Sequence, residues 1–249
     1  MRKTLLAIAT HDVKFNNIAA VIFDKDGTLE DSLTFWREVG IKRARAIDAQ
    51  IPGVGEPLLM AFGILDNTLD PQGLIAVGSR RENEIAAAAY IAETGRTWHE
   101  ARQIAHQAFN EVSESKYLVK TTESAPLFAD VKQTLQSLID AGLKIGILSA
   151  DFTAEVNKFV ENHGLQNYIH SCIGVDNELT KPDPRLFKKA CAALEVTPEQ
   201  TLMVGDSIGD IAMANSADSA GTIGIDRYGH QLLQKADVQI NNLLEIHIL

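Results

Sequence analysis

Short apolar runs that stop abruptly on a polar residue or a glycine, alternating with helix-like stretches, constrain this chain more than any other feature of it. The first run, Ile18-Ala19-Ala20-Val21-Ile22-Phe23, halts at Asp24. Later ones are Leu143-Lys144-Ile145-Gly146-Ile147-Leu148, which ends at Ser149, the stretch 169–175, and Thr201-Leu202-Met203-Val204, closed by Gly205-Asp206. A strand with one wet face alternates apolar and polar residues, whereas a run that is apolar throughout is buried on both faces. Residues 128–141, 153–162, 184–194 and 210–217 carry helical patterns, the first two with Gly142 and Gly164 beyond their ends. Strands and helices alternating through short connections predict an α/β fold, a parallel sheet covered by helices on both faces. Residues 5–9 and 13–15 are expected as short edge strands.

Between the first run and the rest the texture changes. Residues 32–115 are rich in alanine and other helix formers, with breaks at Pro52, Pro57 and Pro71-Gln72-Gly73. The clearest helices are predicted over 83–92 and 98–112. The second opens with Thr97 and Glu100 at capping-box spacing and carries Trp98, Ala101, Ile104, Ala105, Ala108, Phe109 and Val112 at helical spacing. The predicted division is a core domain of residues 1–31 and 116–249, interrupted by a helical domain of residues 32–115. Within the insertion, Gly53-Val54-Gly55 follows a proline and no strand, so it reads as a turn rather than a dinucleotide-binding loop. Lys42-Arg43-Ala44-Arg45 is expected on the wet face of a helix. His99 and His106 share a helix face but lack a third ligand, which suits surface residues better than a zinc site. Arg80-Arg81 reads either as a helix start or as a contact for a substrate carboxylate or second phosphate.

With 249 residues the chain can bury a sizeable core, as one large domain or as a core with a smaller second unit. The formal charge of −10 argues against a nucleic-acid or anionic-membrane partner. It leaves room for a phosphate substrate, because a metal ion, a lysine and a helix N-terminus can make one pocket positive inside a negative protein. Cys172 and Cys191 are too few for a secreted disulfide framework and form no C-x-x-C. The basic start followed by Leu5-Leu6-Ala7-Ile8-Ala9 resembles a signal peptide, but the apolar run is too short and leads into His11, Asp12 and Lys14. No stretch approaches the roughly 20 apolar residues of a membrane span. A cytoplasmic setting is expected.

Sheets of this kind bind ligands beyond the carboxyl ends of their strands. The residues there are Asp24, Ser149 and Gly205-Asp206, and Thr180-Lys181-Pro182 lies between the run at 169–175 and its helix. Acids, a hydroxyl and a lysine at one sheet edge point to phosphoryl chemistry. Asp24-Lys25-Asp26-Gly27-Thr28-Leu29 has the form of the first motif of the haloacid dehalogenase-like superfamily. The chain resembles that superfamily at three further places in order: Ser149 after a strand, Lys181 before a proline, and Gly205-Asp206-Ser207-Ile208-Gly209-Asp210. The resemblance spans residues 18–217, with every motif in the alternating part and none in the insertion. It implies a Rossmann-like α/β core with an inserted, mainly helical cap of the C1 type, which could close over the cleft and set specificity.

A phosphate monoester sets the chemical demands. Its anionic oxygens repel a nucleophile and its alkoxide is a poor leaving group, so a site needs neutralising charge, positioning and a proton donor. Asp24 can attack phosphorus to form an aspartyl-phosphate that water then hydrolyses. If the backbone stays extended, Asp26 points the same way two residues on and can protonate the leaving oxygen. Asp206 brings a third carboxylate, and three in one cleft repel one another without a cation; hard oxygen donors suit Mg2+. The resemblance implies ligation by the Asp24 and Asp206 side chains and the backbone carbonyl of Asp26, with Asp210 in support directly or through water. It also implies that Ser149, the N–H of Ala150 and Lys181 hold the substrate phosphate. Apart from the resemblance, Asp210 and Ser207 read as helix caps, Ser149 as a cap or turn residue, and Lys181 as a solvated lysine.

The expected function is therefore a Mg2+-dependent phosphatase acting on a small phosphorylated metabolite such as phosphoglycolate, a sugar phosphate or a nucleoside monophosphate. Halide departs without a proton and its displacement needs no metal, so a dehalogenase would leave Asp26, Asp206 and Asp210 without purpose. A phosphosugar mutase uses the same residues as a phosphatase and differs in whether water or a second hydroxyl accepts the phosphoryl group. A phospho-ligand sensor that keeps the fold without turnover is the reading from another class. Oligomeric state is not encoded in any of these patterns.

Overall fold

The computed structural model describes residues 5–176, 179–229 and 235–249; the basic start at Arg2 and Lys3 lies outside them. The chain divides into two compact units, Met1–Asp31 with Leu127–Leu249, and Ser32–Pro126. Among the described residues no helix is long and apolar enough to cross a membrane.

The first unit begins with β1 (Leu6–Thr10) and β2 (Val13–Ile18), paired antiparallel, followed by β3 (Ala20–Phe23). The first apolar run is thus two elements. Ile18 closes β2, Asn17 takes a positive φ, and the N–H of Ala19 donates to Gln200 O before β3 starts. After the insertion come α6 (Val131–Asp140), β6 (Lys144–Leu148), α7 (Thr153–Asn162), β7 (Ser171–Ile173), α8 (Pro184–Ala193), β8 (Thr201–Gly205) and α9 (Ile208–Ser216). β9 (Gly221–Ile225), β10 (Val238–Ile240) and β11 (His247–Ile248) lie beyond the last predicted element.

The main sheet has the order β10-β9-β8-β3-β6-β7, and every pairing in it is parallel. β1 and β2, expected as short edge strands, lie outside this sheet; β2 is an edge strand of its own sheet and β1 is the central one. They pair with each other and with β11 in a separate three-stranded sheet, and bury Ile8, Phe15 and Ile18 in the core. The continuous apolar runs are explained by burial on both faces. Val21, Phe23, Ile145, Ile147, Leu202 and Val204 pack with Val131, Leu135 and Leu138 of α6 and Val156 of α7. Ala20, Ile22, Leu148 and Met203 turn the other way, onto Leu186, Phe187 and Ala190 of α8 and Met213 of α9. Each such large apolar side chain stabilises the fold by about 1.5–3 kcal/mol on full burial. Cys191 belongs to the second layer, and burial pushes both the Cys172 and Cys191 thiols up to about 11, where they are poor nucleophiles.

The register matters most for function. Phe23 lies beside Ile147 of β6 and beside Val204 of β8. Three neighbouring strands therefore end within one residue of level, and the residues that follow them emerge at one edge.

The second unit is mainly helical: α1 (Leu33–Asp48), α2 (Gly55–Phe62), α3 (Leu74–Val77), α4 (Arg80–Glu93) and α5 (Trp98–Ser113), with a hairpin of β4 (Ile64–Leu65) and β5 (Thr68–Leu69). Capping boxes start α4 (Ser79 with Glu82) and α5 (Thr97 with Glu100), and buried Ala87, Ala88, Ala101, Ala105 and Ala108 line their packed faces. Arg43 departs from the expected wet face. It is 5% exposed, with its guanidinium carbon 4.2 Å from the centre of the Phe109 ring, a stacking open to a flat cation on an aliphatic stem. Residues 116–126 group with this unit, where Leu118 is buried with Val39 and Val112. Asp48 Oδ1 accepts from the N–H groups of Gly53 and Gly55, making that glycine pair the turn into α2.

Candidate active site

Asp24, Asp206 and Asp210 meet at the carboxyl edge of the main sheet, all buried, each with a carboxylate oxygen within 4.8 Å of the others. Each reaches that point by a different local device. Asp24 directly follows β3, and its N–H donates to Val204 O, which ties it to the end of β8. Asp206 follows β8 and accepts from the Thr28 hydroxyl at 3.5 Å. Asp210 is the third residue of α9, where Oδ2 accepts from the N–H and hydroxyl of Ser207 in a capping box. Its Oδ1 lies 2.7 Å from Lys181 Nζ. The cap reading and the site reading of Asp210 thus occupy different oxygens.

Two glycines make the approach possible. At Gly27, φ is +71° and a Cβ would stand 2.0 Å from Asp206 Oδ2. At Gly205 a Cβ would stand 2.6 Å from the Asp210 carboxylate. A side chain at either position would push a carboxylate out of the group.

Lys181 supplies the positive charge. Its side chain is only 7% exposed, with Nζ 2.5 Å from Asp24 Oδ1, and so it is not the solvated lysine that its sequence alone allows. Burial by itself would lower its pKa; Asp210 and Asp24 outweigh that and raise it. Across the pair the balance is different. Burial pushes the Asp24 carboxyl up to about 7, opposed by Lys181 and helped by Asp210 and Asp26. Asp206 is held well above the usual carboxylate range by burial, then by Asp24 and Asp210. One ammonium does not offset three buried carboxylates, and a hard, oxygen-preferring cation fits both the donor set and the unmet charge. These three residues could hold a metal ion.

Asp26 follows a bend rather than an extended strand. Lys25 O accepts from the N–H groups of Leu29 and Glu30 at 2.9 and 3.1 Å, so the chain folds into a tight loop directly after Asp24. Simple two-residue alternation therefore does not set the direction of Asp26. Its side chain meets Lys25 Nζ at 2.5 Å, while its charge still acts on Asp24. Ser149 is buried just beyond β6, and its hydroxyl accepts from the N–H of Asp151 at 3.1 Å; Ala150 lies between them. The sheet order brings this loop next to Asp24, since β6 is the neighbour of β3.

Two supports escaped the sequence patterns. Arg227, two residues past β9, forks onto Asp130 at 2.6 and 3.0 Å and donates to the Thr28 carbonyl at 2.8 Å. Since Thr28 also reaches Asp206, Arg227 steadies the loop that carries the acids. The other is the Lys25 ammonium, which meets the Asp26 carboxylate. The remaining sequence candidates lie in the second unit. His106 is exposed and pairs with Glu84 and Asn110, and Arg80 is held by Glu84, Asn110 and Ser113 at the start of α4.

A parallel α/β sheet with acids and a lysine buried at its carboxyl edge is the architecture of an enzyme that handles phosphate, and comparison with known proteins agrees. A model of the haloacid dehalogenase-like hydrolase family matches residues 18–218. A phosphoglycolate phosphatase of Yersinia pestis is 31% identical over 224 residues, covering 88% of this chain and 84% of that protein. Among solved structures, a predicted phosphoglycolate phosphatase from Haemophilus somnus aligns with TM-score 0.64 at 20% identity, covering 91% of this chain and 95% of that one. A β-phosphoglucomutase from Clostridium difficile aligns with TM-score 0.64 at 21% identity, covering 91% and 92%. The two structures share the fold. The chain belongs to the haloacid dehalogenase-like hydrolases, in their phosphatase branch.

Proposed function

We propose that this protein is a Mg2+-dependent phosphatase that hydrolyses a small phosphomonoester through an aspartyl-phosphate on Asp24. The observation that carries the reading is the buried group of Asp24, Asp206 and Asp210 around Lys181, a charge arrangement without structural reward unless a cation and a phosphate are to be bound. Asp24 and Asp206, with the backbone carbonyl of Asp26, would hold the metal, and Asp210 would support it directly or through water. When bound, Mg2+ supplies positive charge against the phosphate oxygens and the clustered carboxylates.

The residues then divide the work. An Asp24 oxygen attacks phosphorus in line with the departing alkoxide. The Lys181 ammonium, already beside Asp24, neutralises a phosphate oxygen and keeps the nucleophile in place. Ser149 and the N–H of Ala150 hold another oxygen. Asp26 delivers a proton to the leaving oxygen, then takes one from the water that attacks the aspartyl-phosphate, so its protonation is restored after each cycle.

Phosphoglycolate heads the candidate substrates because the 31%-identical Yersinia protein bears that name. The test is a screen of phosphoglycolate, sugar phosphates and nucleoside monophosphates with and without Mg2+, reading free phosphate. Release of phosphate that needs Mg2+ is expected. An isomeric phosphate without release would identify a mutase, and inactivity on every ester would favour a phospho-ligand sensor.

A further inference from the structure

One buried cation in the first motif has no part in the mechanism above. Lys25 stands between Asp24 and Asp26 and is 1% exposed. A lysine so placed is tolerated only when its ammonium is well paired. Here Nζ lies 2.5 Å from Asp26 Oδ2, 2.7 Å from Glu30 Oε1 and 3.0 Å from Asp151 Oδ2. It also sits 5.7 Å from the centre of the Phe159 ring on α7. Glu30 is buried in turn, with Oε2 3.8 Å from His163 Nε2.

The three acids belong to two segments. Asp26 and Glu30 lie in the loop after β3, whereas Asp151 lies in the loop after β6, and its own N–H donates to the Ser149 hydroxyl. Lys25 is therefore a joint between the carboxylate assigned to proton transfer and the loop assigned to phosphate binding. Proton transfer needs the donor within about 2.6–3.2 Å of the oxygen it serves. A misplacement of about 1 Å can cost on the order of 10²-fold in rate. Asp26 follows a bend, so strand alternation does not set its direction, and the Lys25 ammonium contacts its carboxylate directly.

We propose that Lys25 is a positioning residue for phosphoryl transfer, its ammonium, gripped by Glu30 and Asp151, keeping the Asp26 carboxylate in register with the Ser149 loop. This rests on the reading of Asp26 as the acid and base. The decisive variant is the pair Lys25→Met with Glu30→Gln, which removes one charge of each sign and keeps side-chain volume. It is compared with Asp26→Asn on two kinds of ester: whichever of phosphoglycolate, glycerol phosphate and glucose phosphate the protein turns over fastest, and p-nitrophenyl phosphate, whose leaving group needs little protonation.

The pair is expected to slow phosphoryl transfer from the alkyl ester by about 10- to 100-fold, with first-step release of nitrophenol within about 3-fold of the parent. KM for both esters and the thermal midpoint should stay near the parent's. Equal slowing of both esters, or no slowing, while Asp26→Asn remains selective for the alkyl ester, overturns the positioning role and leaves the acid–base reading intact. Equal slowing by Asp26→Asn itself removes the acid–base reading and this inference with it. If the pair does not fold, Asp151→Asn, at the partly exposed end of the clamp, carries the same expectation at about 3- to 10-fold, and a non-selective result there overturns the proposal.

Discussion

Two lysines whose side chains are almost inaccessible lie against acids that follow the strands of the main sheet, and the charges around them are balanced differently. Lys25 touches Asp26, Glu30 and Asp151, all within 3.0 Å, and its ammonium is held charged: burial would lower its pKa, and the three acids outweigh that. Lys181 pairs with Asp24 and Asp210, while Asp24 and Asp206 are both pushed upward. The first cluster shares one cation among all its acids by direct contact. The second leaves carboxylates whose ionisation is resisted by burial and by one another, which is the condition a metal and a phosphate relieve. Similar residue types thus make a fully paired cluster in one place and, on the function proposed, a binding site in the other.

The largest effect that could break this distinction belongs to Asp24. Asp24→Asn keeps the shape but removes the proposed nucleophile and metal ligand, so turnover should fall by more than about 10³-fold with the thermal midpoint preserved. Retention of a tenth of the parent rate, with deamidation back to Asp excluded, would move the nucleophile elsewhere.

Asp26, which belongs to both clusters by charge, comes next. Asp26→Ala should slow transfer from an alkyl phosphate by about 10²- to 10⁴-fold, and from an aryl phosphate much less in the first step. Hydrolysis of the aspartyl-phosphate would still lack its base, so rapid mixing with p-nitrophenyl phosphate should show a burst of nitrophenol followed by slow release. Absence of the burst, with both esters slowed alike, would make Asp26 structural.

Removing each lysine sharpens the contrast in stability. Lys25→Met strands the buried Glu30 carboxylate and removes the partner of the half-buried Asp26 and Asp151, and should cost about 3–5 kcal/mol, in EDTA and in Mg2+ alike. Lys181→Met should be destabilised in EDTA but regain about 1–3 kcal/mol when Mg2+ is saturating, because on the function proposed a second cation would serve that cluster. Denaturant melts of both variants with and without Mg2+ measure this, and an equal Mg2+ response would erase the difference between the clusters.

The smallest expected effect is a pH dependence. A carboxyl raised from 3.8 to about 7, as Asp24 is, binds its proton more tightly folded than unfolded. Its contribution to stability is full below about pH 4 and is lost as pH rises through about 7. Mg2+ binds the ionised form, so its stabilisation should grow over the same window. Thermal midpoints in EDTA and Mg2+ at about pH 5.5 and about pH 7.5 should differ more at the higher pH, and Asp206→Asn should shrink that gap. A gap independent of pH would place the metal away from these acids.

Most strands of the core sheet were legible because burial on both faces leaves a signal within a few residues. The runs at Val21, Ile147 and Val204 are apolar for that reason, apart from Lys144 and Thr201 near their starts, and each ends on a polar residue or a glycine. Helix starts were legible at Thr97 and Glu100 because a cap is also a local device. The split at Asn17 was not, since Ile18 is as apolar and buried in one sheet as Val21 is in the other. Gly221 to Ile225, a run broken by glycines, also went unpredicted, although it forms a fully buried strand. Arg43 and Lys25 went unread for a related reason: a cation's burial depends on partners that the neighbouring sequence does not announce.

Local pattern therefore settled the fold class, the order of the motifs and which polar residue ends each buried strand, because these depend on the side chains of a few consecutive residues. Which acid meets which lysine was decided by tertiary packing alone. Lys181 and Asp24 are 157 residues apart, and they touch because parallel pairing sets Phe23 level with Val204 while α9 turns Asp210 toward the same ammonium. Coulombic pairing and desolvation act through space over a few ångströms, so the charge balance that separates the binding cluster from the bracing one exists only once the chain has folded.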